Sequence, residues 1–154
     1  ADEPAEAQRL AAVQEVLAAY PELGGRIYRT ANGFRIMITS ATLIPTDAGV
    51  GELMQVLGVD ELYRKLCLRQ NCFRARLTPK PWRIGMRRPP VRYPLIGAYS
   101  RTYEAWLNKY ETKSRDFRVS RLVATFGSAA VCAEAEKVLR LHDSDLAGDD
   151  HKLA

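Results

Sequence analysis

The sequence predicts an α+β domain, an antiparallel sheet of about four strands with helices packed on one face. Two observations carry that expectation. Apolar residues recur every three or four positions in some segments and every second position in others. These segments do not alternate strictly, so the parallel β-α-β pattern is not expected. A third observation, the placement of charge, bears on function and is taken up after the elements.

"AEAQRLAAVQEVLAAY" places Leu10, Val13, Val16 and Leu17 at helical spacing, and Pro21 stops the helix. "GRIYRT" and "FRIMITS" read as two strands of a hairpin around Ala31-Asn32-Gly33, with Gly33 expected to supply a positive φ. The second strand alternates Phe34, Ile36 and Ile38 against Arg35, Met37 and Thr39. "PTDAGVGELMQVLG" predicts a helix opened by Thr46 or Asp47 and closed by Gly58, and Asp60 caps the next, "ELYRKLCLRQ". "NCFRARLT" returns to alternation, with Phe73, Ala75 and Leu77 behind and Arg74, Arg76 and Thr78 in front. It predicts a strand with a cationic face.

Residues 79–94 contain five prolines, which remove backbone donors and force an irregular, extended path. A helix over "AYSRTYEAWLNKYE", with Tyr99, Tyr103, Trp106 and Tyr110 on one stripe, a strand over "DFRVSRLVATFG" and a helix over "AAVCAEAEKVLRLHD" complete the chain. Neither an internal repeat nor a long linker divides the 154 residues, so one domain over 1–154 is expected. If the registers follow the apolar alternation, Arg26, Tyr28, Arg74 and Arg76 line an open sheet face.

The net charge is +5, but its distribution is uneven. Between Glu61 and Glu104 lie eleven cations and no acid, while acids gather in "ADEPAEA" and "HDSDLAGDD". The densest part runs from Arg74 to Pro94. Arg74, Arg76, Lys80, Arg83, Arg87, Arg88 and Arg92 offer planar or point-charge donors for phosphate, and Trp82 and Tyr93 offer rings for bases. The prolines lower the entropy lost when such a segment is ordered on a ligand. This predicts a non-catalytic surface for RNA or single-stranded DNA. The competing expectation is a protein-interaction module that docks an acidic partner, or its own copy, through the basic loop. A plainer one is that Trp82 packs on the sheet edge and the arginines pair with the acidic termini.

Catalytic patterns are weak. No Asp-x-Asp falls on an expected strand; Asp143 and Asp145 have that spacing in a polar tail. His142-Asp143 lacks the further histidines of a metal-dependent phosphohydrolase, and His142 reads as a helix-end residue favoured by the dipole. No Walker or Gly-x-Gly-x-x-Gly loop is present. The residues 62–103 hold neither carboxylate nor histidine, which leaves an anion clamp without an acid or base. No catalytic residue, metal or cofactor is therefore assigned. Cys67, Cys72 and Cys132 form an odd set without Cys-x-x-Cys spacing, read as reduced thiols of a cytoplasmic protein. No run approaches eighteen apolar residues, so no membrane partner is expected.

"YRTANGFRIMIT", "LYRKLCLRQNCFRARLTPKPWR" and "LRLHD" together resemble an uncharacterised family of small bacterial proteins sharing an Arg-x-Arg-Leu-Thr-Pro-Lys-Pro-Trp-Arg core. That resemblance covers most of the chain and implies no activity. More distantly, Thr30 and Gly33 resemble the Thr-x-x-Gly-x-His hairpin of archaeo-eukaryotic primase-polymerase domains, whose core is RRM-like. Arg35 stands where the histidine would be, and no Asp-x-Asp strand precedes it. The resemblance thus implies a degenerate copy unable to polymerise.

Overall fold

The computed structural model describes residues 3–91, 99–144 and 151–154. It is a mixed α+β chain, as the sequence predicts. Helix α1 (Glu3–Ala18) leads into the hairpin β1 (Gly25–Thr30) and β2 (Gly33–Ile38), followed by α2 (Ala48–Val56) and α3 (Glu61–Gln70). A 3-10 turn (Pro81–Ile84) precedes α4 (Tyr99–Ser114). Then come β3 (Phe117–Arg118), β4 (Ser120–Phe126), α5 (Ala133–Ser144) and β5 (Lys152–Leu153).

The main sheet is antiparallel with strand order β2-β1-β4, and β3 pairs with β5 in a small parallel ladder. The hairpin register runs unbroken from Gly25 opposite Ile38 to Thr30 opposite Gly33. Neither Asn32 nor Gly33 adopts a positive φ. Instead, the Thr30 hydroxyl donates to the Gly33 carbonyl at 3.0 Å and closes the turn. Among the described residues, the left-handed glycines are Gly58, Gly85 and Gly127. At Gly127 a side chain would meet the Leu23 carbonyl as well, so the chain needs glycine there twice over.

Two expectations about the sheet change. Residues 71–78 form no strand. Asn71 turns the chain out of α3 in the left-handed conformation at φ 46°. Beyond it, the carbonyls of Arg74, Arg76 and Pro79 are taken by side chains from elsewhere rather than by a neighbouring strand. Helices also reach both faces of the sheet. Cross-strand partners share a face, so Arg29 and Phe34 lie on the side where Arg29 pairs with Glu6 of α1. Arg26 and Tyr28 lie on the other, bonded to Asp143 of α5. They do not line an open surface.

Ile27 and Tyr28 in the central strand are fully buried. Val50, Met54 and Cys67 join α2 to α3, and Leu43, Val59 and Tyr63 pack around them. A third cluster joins Ile84, Met86 and Ala154 with Trp106, Tyr110 and Phe117. No described helix is long and apolar enough to cross a membrane.

Candidate functional site

The basic stretch begins where α3 ends. Asp60 caps that helix by accepting the Tyr63 N–H at 2.8 Å, which sets Tyr63 one turn in. The Tyr63 hydroxyl then donates to the Arg74 carbonyl at 3.0 Å and accepts from the Arg74 N–H at 3.2 Å. Burial pushes the Tyr63 phenol up in pKa, so the hydroxyl keeps the proton it donates. Arg35 donates to the Arg76 carbonyl at 2.9 Å, Tyr110 to Pro79 at 2.6 Å and the Trp106 indole to Arg87 at 3.0 Å. A proline-rich segment with few donors of its own is thus held by its carbonyls. The Arg74, Arg76 and Arg87 side chains stay exposed.

Within the 3-10 turn, Ile84 points into the core and Trp82 points out, 54% exposed. Lys80 lies 5.4 Å and Arg88 5.5 Å from the Trp82 ring centre. Both distances fall within cation–π range. Trp82 is therefore not packed on the sheet edge. Arg83 is half-buried and Arg88 exposed.

Among the described residues, none of Arg74, Arg76, Lys80, Arg83, Arg87 and Arg88 forms an ion pair. Two described acids near the chain ends pair with β1 instead, Glu6 with Arg29 and Asp143 with Arg26. Arg74, Arg76 and Lys80 line one groove of about 1150 Å³ with Arg9 and Arg35. Lys80 and Arg88 then flank Trp82. Arg92 and Tyr93 lie outside the described residues, as does Asp145.

Sequence reasoning missed a second cluster. His142, read as a helix-end residue, is 2% exposed and meets Tyr28 edge to face at 4.5 Å. Its Nε2 lies 2.6 Å from Nη1 of Arg35. A guanidinium only donates, so Nε2 accepts, and the imidazole is neutral with its proton on Nδ1. That proton goes to Asp143 Oδ1 at 2.9 Å, which also accepts from the Tyr28 hydroxyl at 2.9 Å. Arg26 closes the cluster on Asp143 Oδ2.

Burial first, then the Asp143 carboxylate, raises the Tyr28 pKa to about 12. Desolvation pulls the Arg35 pKa down. With every polar atom of the imidazole engaged by protein, this cluster clasps α5 to the sheet and offers no free base. The sequence signals were the polar face of β1 and "LRLHD", but nothing in their spacing joins residues more than a hundred positions apart.

Among the described residues, no group of three or more His, Cys, Asp or Glu side chains could hold a metal ion. Cys67 is a buried free thiol, and Cys72 and Cys132 are half-buried free thiols. No protein-family model, curated protein or solved structure matches the chain.

Proposed function

We propose that the chain binds single-stranded nucleic acid, RNA or DNA, without catalysing a reaction on it. The observation that carries this reading is the exposed Trp82 ring with Lys80 and Arg88 in cation–π range, in a stretch whose described cations have no carboxylate partner. A base can stack on such a ring when these cations leave its face for the phosphates of the same strand. Arg74, Arg76, Arg83 and Arg87 extend the phosphate track, and Arg92 and Tyr93 belong to the same stretch of sequence. Phosphate contacts alone read no sequence, so low base preference is expected.

The test is binding of a random-sequence single-stranded oligonucleotide across a salt series. About six phosphate contacts on a single strand give a log–log slope of about −4. A flat salt response, or no binding at low salt, removes the proposal.

A further inference from the structure

All six residues of β2, Gly33 to Ile38, line the 1150 Å³ groove. Successive strand side chains point to opposite faces, so a space reached by all six runs along the edge of the strand, not over one face. β2 is the outer strand of the order β2-β1-β4, and among the described residues its only strand partner is β1. The outward N–H and C=O groups of an outer strand are a template for another strand.

Edges are commonly blocked by proline, a bulge or inward charge. β2 has no proline and pairs in unbroken register, with the register shift on the β4 side at Ile27/Tyr28, and its one inward charge is the half-buried Arg35. The segment Phe73–Arg76, which forms no strand and is held by Tyr63 and Arg35, also lines the groove.

The chemistry of the occupant follows from the two faces of β2. Phe34, Ile36 and Ile38 offer an apolar face, and Arg35 lies on the other. Five cations and two acids, Asp60 and Glu134, line the groove. Arg35 is half-buried, and its described hydrogen-bond partners are neutral, the Arg76 carbonyl and His142 Nε2. A desolvated cation on neutral acceptors gains most from a carboxylate.

We propose that the open edge of β2 receives an extended strand from a protein partner, with apolar side chains alternating with acidic ones. Backbone hydrogen bonds to β2 supply the pairing. The acids of the strand meet Arg35, Arg74 and Arg76, and its apolar side chains lie beside Phe34, Ile36 and Ile38. This goes beyond the nucleic-acid reading and does not rest on it: Arg74 and Arg76 are shared with the proposed phosphate track, but Trp82, Arg87 and Arg88 take no part.

The test uses the full chain and a fluorescent peptide of alternating glutamate and valine, about eight residues long, enough to cover the roughly 20 Å of β2. Binding is expected. It should weaken at least about tenfold for a lysine-valine peptide, and equally for a glutamate-valine peptide N-methylated at alternate residues. Amide hydrogen exchange at 34–38 should slow at least about tenfold when the peptide binds. The double variant R74E/R76E should weaken the peptide about tenfold while R87A/R88A leaves it unchanged. The Arg74 and Arg76 side chains make no described hydrogen bond or ion pair, so the fold, checked by circular dichroism, is expected to survive.

Four results overturn the proposal: no peptide binding, equal binding of the lysine peptide, binding without protection of β2, or protection of β2 in the free protein through a dimer seen by sedimentation. Displacement of the peptide by an oligonucleotide that itself protects β2 would give the groove to nucleic acid and overturn it too.

Discussion

Arg35 Nη1 donates to His142 Nε2 across 2.6 Å, and the other terminal nitrogen of the same guanidinium donates to the Arg76 carbonyl at 2.9 Å. One side chain therefore ties the β2 edge both to α5 and to the start of the basic stretch. Its neighbour in the cross-strand pair, Tyr28, anchors the opposite side of the same imidazole through Asp143. The candidate surface is thus supported by a polar cluster centred on the buried His142 and Tyr28.

Removing the imidazole should therefore unsettle the fold. His142→Ala leaves Arg35 and Asp143 each short of a hydrogen-bond partner and Tyr28 without its ring contact, and is expected to cost about 1–3 kcal/mol in urea unfolding. A loss below about half a kcal/mol would show that the cluster is not structural.

The alkaline limb of stability should report Tyr28. Its folded pKa, raised from 10.0 to about 12, stabilises the protein fully below pH 10. That contribution is lost as pH rises through about 12, because the folded state then loses the proton it holds more tightly. Tyr28→Phe should flatten this part of the profile. Tyr63, also raised, contributes with the same sign, so a Tyr63→Phe background isolates the Tyr28 share. Asp143→Asn should move the Tyr28 titration, followed by tyrosinate absorbance, back toward 10.0 without reaching it, since burial is the larger cause.

Trp82→Ala separates binding from stability. The ring is 54% exposed, so unfolding should shift by less than about 0.5 kcal/mol. Oligonucleotide affinity should fall by about 1–3 kcal/mol if the ring stacks a base. Unchanged affinity would leave the Lys80–Trp82–Arg88 arrangement without its proposed use.

R87A/R88A should weaken every oligonucleotide about equally and lower the salt slope by about 1.4, the share of two phosphate contacts. Filter binding of sequences that differ in composition distinguishes this from base-specific loss.

Two glycines should respond in opposite ways. Gly127→Ala forces a side chain onto the Leu23 carbonyl at φ 59° and should cost at least about 2 kcal/mol in thermal or urea unfolding. Gly33→Ala meets nothing within 4 Å and needs no positive φ, so it should be near neutral. The hairpin turn relies on Thr30 rather than on Gly33.

Local pattern alone determined much of this chain. Periodicity placed all five helices and the hairpin, Asp60 and Asp47 marked helix starts, and Gly58 marked an end. Charge order along the chain located the basic stretch, because a run without acids is a fact of sequence. Tertiary structure decided the rest. Residues 71–78 alternate like a strand, but a strand needs a partner, and Tyr63, Arg35 and Tyr110 claim carbonyls at 74, 76 and 79. Arg26 and Tyr28 looked like open sheet face, yet Tyr28 is buried and Arg26 partly covered because α5 brings Asp143 and His142 over them. Which cations remain without a carboxylate, and which strand edge stays open, are relations between residues far apart in sequence. Only the packing of helices onto the sheet sets them.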